Sequence, residues 1–317
     1  MQNFRQRYQI LIEELGSLRV KRDEPLSRHT TFKIGGPADL FFETWKKEDL
    51  IRAVQLCQKL KIPYFILGRG SNILVSDKGF SGLVIKNRTS QIKVLQYSGK
   101  VGKTRTVLIE ADSGVGLNRL VRWTIEEGLK GLEVFLSIPG TVGGAIKINA
   151  HFRPEKGEFI GNFVKKGKIL SEKGEVKEVE KNYFSFGYDK SILQKKKDIL
   201  LSVVFELKKV GDKRILWRRA EEAVKYRRLR QPLSFSSAGC IFKNPEGTKG
   251  AGFLIDQLGL KGKRIGGAMI SPIHANFIVN TGNAKAEDVV KLIEICKRKV
   301  KEVFGINLEE EIEYIGF

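Results

Sequence analysis

Three cysteines, three histidines and two methionines are all the sulfur and imidazole side chains that this 317-residue chain carries. Cys57, Cys240 and Cys296 are odd in number and widely spaced, without a C-x-x-C pair, so neither a disulfide framework nor a zinc site is expected. His29, His151 and His274 are equally scattered, and metal catalysis is not expected. Long apolar runs are also missing. Those present, such as residues 203–205 and 277–279, fall far short of a membrane span. Residues 1–9 carry charges but neither an apolar core nor a small-residue cleavage site, so the expectation is a cytoplasmic protein without a secretory signal. Catalytic-triad spacing and a lysine following a glycine-rich phosphate loop are absent too, which leaves the chain few ways to do demanding chemistry without a bound cofactor.

What is present is an ordinary globular composition, 41% hydrophobic and 29% charged, with enough length for two or three domains. Lys and Arg number 57 against 36 Asp and Glu, a formal charge of +21 that raises the question of a nucleic-acid partner. The excess is diffuse. Its densest stretch, residues 208–230, is interrupted by Asp212, Glu221 and Glu222 and lacks interleaved aromatics. A solvated lysine-rich surface, or attraction of a small anionic substrate, accounts for the same charge. A basic nucleic-acid-binding protein remains as the alternative from another class.

Residues 48–60 place Leu50, Val54, Cys57 and Leu60 on one helical face, and Ile62-Pro63 ends that helix before a short strand, 64–67. From 83 to 110 short alternating segments broken at Ser98-Gly99 and Gly102 predict strands and a hairpin. A helix is predicted over 117–127 with Gly128 as its stop, strand-like runs over 169–179 and 199–207, and a basic amphipathic helix over 215–229. Residues 208–212 are the candidate linker into a last region with helices over 252–258 and 287–304, the latter carrying Val289, Ile293, Cys296, Val300 and Phe304 on one stripe and ending at Gly305. The fold class is α+β.

Two glycine-rich loops stand out. Gly68-Arg69-Gly70-Ser71-Asn72-Ile73-Leu74 lies between two apolar strands, and Ser137-Ile138-Pro139-Gly140-Thr141-Val142-Gly143-Gly144-Ala145 follows the 117–127 helix. Glycines at positive φ let successive N–H groups converge on phosphate oxygens. The first loop is read equally well as a plain tight turn, and it is not a Rossmann fingerprint: Ile73 occupies the third glycine position, and a strand rather than a helix follows.

Taken in order, His29-Thr30-Thr31-Phe32-Lys33-Ile34-Gly35-Gly36-Pro37-Ala38-Asp39, the two glycine loops, Ser237-Ala238-Gly239-Cys240-Ile241-Phe242-Lys243-Asn244-Pro245, Leu254-Ile255-Asp256-Gln257 before Gly266-Gly267-Ala268, and Leu308-Glu309-Glu310-Glu311 resemble the UDP-N-acetylenolpyruvoylglucosamine reductase (UDP-N-acetylmuramate dehydrogenase) family. The resemblance runs from about His29 to Gly316 and favours the family's compact branch, because nothing between Ser191 and Arg230 leaves room for an inserted subdomain. It implies a two-subdomain FAD-binding fold of the p-cresol methylhydroxylase type, residues 1–84 with the strand 305–317 returning to them and residues 85–210, followed by an α+β substrate-binding domain, 211–304. It further implies FAD held by the two loops, NADPH as reductant, and reduction of the enolpyruvyl group of UDP-N-acetylglucosamine enolpyruvate to UDP-N-acetylmuramate for peptidoglycan synthesis, in a monomer with neither nucleic-acid nor membrane partners. Another FAD-dependent oxidase or dehydrogenase of hydroxy acids from the same superfamily is the nearer alternative.

Residue by residue, the family's proton-donating serine falls on Cys240, whose thiol, at a reference pKa of about 8.5, is a far stronger acid than an alkyl hydroxyl. Its terminal glutamate falls on Glu311, and its substrate contacts fall on Tyr188, Arg230, Asn244 and His274. Two departures are evident. After Phe186-Gly187-Tyr188 the family has an arginine, whereas this chain has Asp189-Lys190. Lys190 replaces the missing cation, or the local register differs, or activity is impaired. After Asn149-Ala150 the run His151-Phe152-Arg153-Pro154 replaces one containing glycine and tyrosine.

Overall fold

The computed structural model describes residues 4–98 and 105–317; Gly99 and Gly102, expected to break a hairpin, lie outside the described residues, as do residues 1–3. In chain order the elements are α1 (Phe4–Leu15), β1 (Val20–Pro25), β2 (Pro37–Thr44), α2 (Lys47–Leu60), β3 (Tyr64–Leu67), β4 (Ile73–Val75), β5 (Phe80–Asn87), β6 (Ile92–Ser98), β7 (Thr106–Asp112), α3 (Leu117–Glu126), β8 (Leu129–Lys130) and α4 (Val142–Lys147). There follow β9 (Val164–Leu170), β10 (Val176–Glu180), β11 (Ile199–Lys209), α5 (Lys213–Arg230), β12 (Ser236–Cys240), α6 (Ala251–Gln257), β13 (Arg264–Ile265), β14 (Ala268–Ile270), β15 (Phe277–Asn280), α7 (Ala286–Phe304) and β16 (Glu313–Ile315). Among the described residues no helix is long and apolar enough to cross a membrane.

Two compact units share these elements. One is built from Met1–Val20, Phe42–Gly68 and Ile85–Arg227, the other from Lys21–Phe41, Arg69–Val84 and Arg228–Phe317. A four-stranded sheet has the order β1-β2-β5-β3.

The first unit centres on an antiparallel sheet in the order β10-β9-β11-β7-β6, with β8 on the end of β11. Register explains its inner face: Val203, Phe205 and Leu207 stand opposite Ala111, Ile109 and Val107, all buried, so each cross-strand pair adds apolar contact. Helix α3 covers them with Leu117, Leu120, Val121 and Ile125. Glu110 points to the other face, where burial alone would raise its pKa, but hydrogen bonds from Lys93 and Ser202 bring it below the ordinary carboxylate value. The strand-like run predicted over 169–179 is two strands, not one. Ser171 and Gly174 close a turn there, Gly174 N–H donating to the Ser171 carbonyl (2.8 Å), and β9 and β10 pair as its arms. Lys208 and Lys209, expected in a linker, are the last residues of β11. Helix α1 has no counterpart in the sequence expectations, although Tyr8, Leu11, Ile12 and Leu15 form its buried stripe.

The second unit holds the antiparallel sheet β12-β15-β14-β13. Helix α7 buries Val289, Leu292, Ile293, Cys296 and Val300 in the same core as Ala268, Ile270 and Ile278, and ends where expected, at Gly305 in the left-handed conformation. Phe304, expected on that stripe, is 37% exposed because the helix ends with it. In the same unit β16 runs parallel to β4, Glu313 beside Ile73 and Ile315 beside Val75.

Irregular backbone inside both units is satisfied by asparagine side chains. In the second unit Asn276 Nδ2 donates to the Phe242 carbonyl (2.7 Å) while its Oδ1 accepts from the Phe242 N–H (2.9 Å). In the first, Asn149 Nδ2 donates to the Gly187 carbonyl (2.8 Å) and its Oδ1 accepts from the Gly161 N–H (3.0 Å). Both side chains are buried. Replacing Asn276 with alanine leaves two buried backbone groups unpaired, and we expect a loss of roughly 2–6 kcal/mol, measured by denaturant unfolding.

Candidate functional site

In the second unit the chain leaves β12 through a bulge. Ser237 pairs with Val279 and Cys240 with Phe277, and the register shifts between them where Gly239 takes φ 86. Bulges re-aim side chains. Here the half-buried residue after the kink is Cys240. Beyond it Ile241 N–H donates to the Asn276 carbonyl (2.8 Å), Asn276 grips Phe242, and the strand edge turns to meet residues 309–311. Glu311 N–H donates to the Ile241 carbonyl (2.8 Å) and Lys243 N–H to the Glu309 carbonyl (2.9 Å). The backbones carrying Cys240 and Glu311, far apart in sequence, are thus adjacent.

Residues 69–74 of the first glycine loop join the same cluster. Asn72 Nδ2 donates to the Glu311 carbonyl (3.0 Å), and Glu313 N–H donates to the Asn72 carbonyl (3.0 Å). Gly70 at φ 63 sits so close to the 29–30 backbone that a Cβ would come within 2.6 Å of the His29 carbonyl oxygen, so only glycine fits. Thr31 was not among the expected site residues, yet its Oγ1 lies 2.8 Å from the Ser237 carbonyl and 3.3 Å from that of Gly70, tying the glycine loop to the strand of Cys240. No pattern within the 29–39 segment alone singles it out.

His274 and Asn244 complete this unit's set. His274 lies between β14 and β15, its Nδ1 accepting from the Asn276 N–H (3.2 Å) and its ring edge-on to Phe277. Burial and nearby Lys261 lower its pKa, so the neutral ring persists. Asn244 Oδ1 accepts from the Ala251 N–H (3.0 Å) and starts α6. Arg230 is the exposed last residue of α5.

The first unit carries the other residues. Gly68, the first residue of its loop, lies against the second loop: a Cβ there would approach Thr141 Oγ1 to 2.7 Å. Thr141 caps α4, its Oγ1 accepting from the Gly144 N–H (3.3 Å), while Val142 and Gly143 donate to the carbonyls of Val115 and Ser113 (2.8 Å each). These bonds fix the loop's shape. Arg227, on the neighbouring helix α5, donates through Nη1 to the Ser137 carbonyl, a tie that the sequence pattern alone does not single out. Tyr188 and Asp189 form the tip of a tight turn in which Gly187 and Lys190 bond reciprocally; Tyr188 and Lys190 are exposed and Asp189 is buried.

Neither glycine loop contains an acidic side chain, so neither would repel the pyrophosphate of a dinucleotide. Residues 38–180 match the FAD-binding domain family, which makes the chain an FAD-binding protein of the α+β class. Residues 231–315 match the C-terminal domain family of UDP-N-acetylenolpyruvoylglucosamine reductase. Proteins named UDP-N-acetylenolpyruvoylglucosamine reductase from Lachnoclostridium phytofermentans and Alkaliphilus oremlandii are 38% and 40% identical over 311 and 309 residues, covering 97% and 98% of this chain and 97% of each relative. The crystal structure of the corresponding enzyme from Thermus caldophilus superposes with a TM-score of 0.76 at 36% identity, over 94% of this chain and 99% of that one. The chain belongs to the UDP-N-acetylenolpyruvoylglucosamine reductase family, and it is an FAD-dependent oxidoreductase with NADPH as reducing substrate.

Cys57 and Cys296 are buried thiols pushed up to about 12 by desolvation, while Cys240 is half-buried. Mass spectrometry after brief alkylation of the native protein is expected to find Cys240 modified and the other two intact. For His274 the unfolded chain binds protons more readily than the folded one, so stability falls as pH drops below the ordinary imidazole value of 6.5. In His274→Gln, thermal unfolding between pH 7 and 5 is expected to show a flatter acid-side decline.

Proposed function

We propose that the chain reduces the enolpyruvyl group of UDP-N-acetylglucosamine enolpyruvate to UDP-N-acetylmuramate, a step of peptidoglycan precursor synthesis, with Cys240 as proton donor and Glu311 as the group that holds the developing enol. The observation that carries this assignment is the backbone pairing that sets Glu311 beside the residue following Cys240. FAD, when bound, would supply the hydride-transfer chemistry that links NADPH to the enolpyruvyl group. Gly68, Arg69, Gly70, Ser71, Asn72, Ile73 and Leu74 would hold its phosphates with Ser137, Ile138, Pro139, Gly140, Thr141, Gly143, Gly144 and Ala145.

The chain's own residues handle the proton and the anion. Cys240 gives its thiol proton to the substrate carbon that the hydride leaves electron-rich, and recovers it from solvent through its half-exposed side. A carboxyl at Glu311 that shares a proton with the substrate carboxylate stabilises the enol. Tyr188, Lys190, Arg230, Asn244 and His274 bind the diphosphate and carboxylate, with Lys190 replacing the missing arginine at the turn. Three functional domains follow: residues 1–84 with 305–317, residues 85–210, and residues 211–304. The enzyme works as a cytoplasmic monomer, where NADPH and nucleotide sugars are at hand.

Cys240→Ala is expected to leave NADPH-driven flavin bleaching near 450 nm unchanged while slowing the second half-reaction about 10²–10⁴-fold, and Cys240→Ser to restore part of that loss. Glu311→Gln follows the same split. Stopped-flow absorbance reads both halves; equal losses in the two half-reactions remove these residues from the proton and enol roles.

A further inference from the structure

The two segments in which the sequence departs from the family pattern meet in the first unit. His151 Nε2 lies 3.0 Å from Asp189 Oδ1, and the carboxylate side chain is only 2% exposed. Asp189 is held in the left-handed conformation, φ 48, at the tip of the Gly187–Lys190 turn, a conformation that Asp and Asn tolerate better than longer side chains. Three bonds fix that turn in place: Asn149 Nδ2 to the Gly187 carbonyl (2.8 Å), Gln194 Nε2 to the Asp189 carbonyl (3.0 Å), and Ser191 Oγ to the Lys147 carbonyl (2.6 Å). The His151 ring is clamped as well. It stacks on Tyr188 (centroids 5.2 Å apart, planes at 25°), meets Phe159 edge-on (5.6 Å), and its backbone bridges to Phe159.

Asp189 Oδ2 has no hydrogen-bond partner among the described residues, so His151 is the side chain that satisfies this buried carboxylate. A buried carboxylate is tolerated only when paired. Left unpaired it would turn toward water, and water at this turn lies where exposed Tyr188 and Lys190 are assigned to an anionic substrate, whose carboxylate and diphosphate it would repel.

We propose that His151 is a positioning residue that pins the Asp189 carboxylate inward, away from the substrate, so that Lys190 is the charge the turn presents. The proposal rests on the reading of Tyr188 and Lys190 as substrate contacts. It makes a prediction that neither a purely structural role nor direct substrate contact by His151 shares: removing the carboxylate repairs the loss of the histidine.

The experiment compares four holoenzymes, wild type, His151→Phe, Asp189→Asn and the double variant, by kcat/KM with UDP-N-acetylglucosamine enolpyruvate and by NADPH-driven flavin reduction alone. Phenylalanine keeps the ring contacts and removes the N–H; asparagine keeps the turn and removes the charge. His151→Phe is expected to lower kcat/KM about 10–100-fold with flavin reduction unchanged, and the double variant to return to within about threefold of Asp189→Asn. Undiminished turnover in His151→Phe, or a double variant as slow as His151→Phe, overturns the proposal. Should His151→Phe fail to fold, the double variant against Asp189→Asn decides: a fall of more than about tenfold overturns it, and parity supports it. A wild type that reduces its flavin but never turns over the sugar overturns the functional reading and this proposal together, whereas wild-type turnover with no effect of His151→Phe overturns the proposal alone.

Discussion

Buried loops need partners for their backbone N–H and C=O groups, and in this protein asparagine side chains supply them. The candidate site is made of such loops. Asn276 takes the place of a missing strand neighbour for Phe242, just where the chain leaves β12 after Cys240. Asn280 does the same for the 32–33 segment, Nδ2 donating to the Phe32 carbonyl at 3.0 Å, while its Oδ1 accepts from Gly282 and Ala284. In the first unit Asn87 ties Thr89 to Ser113, and Asn149, itself at φ 50, joins the end of α4 to the turn at Gly187. An amide offers donor and acceptor on one rigid group, so one side chain can satisfy both halves of a peptide unit. Hydroxyls are shorter and carboxylates cannot donate when ionised. That chemistry lets chemically active residues sit on irregular backbone without the fold losing its definition.

The arrangement also explains how the backbones of Cys240 and Glu311 come together without a shared helix or strand. Cys240 is aimed by a bulge, Glu311 by its backbone bond to Ile241, and the first glycine loop by Asn72 and Thr31. Cys240 and Glu311 are fixed by main-chain geometry, so the side chain at either point can vary without collapse of the frame.

Much of the fold is legible from periodicity. The stripes of α2, α3 and α7 and the strands β3 and β4 stand where apolar spacing and glycine stops put them, since those signals are local. Residues 169–179 mislead because the turn at Ser171–Gly174 interrupts a stretch that is apolar at both ends and charged between. Helix α1 is present as a stripe of Tyr8, Leu11, Ile12 and Leu15 in a segment whose charges dominate on inspection. The candidate site is legible only as a set of separate motifs: nothing in spacing brings Ile241 to Glu311, or His151 to Asp189, because those contacts depend on how loops close in space.

The pairing of β16 with β4 has a consequence for synthesis. Residues 73–75 are made well over 200 residues before their parallel neighbours, 313–315. The core of the second unit draws on Phe32, Ile34 and Leu74 together with Leu308 and Ile312, so it cannot close until the chain has been made past residue 312. The sheet of the first unit, complete by Lys209, can form while the rest is still being translated. Until residues 308–315 have been made, Phe32, Ile34 and Leu74 lack their partners in that core.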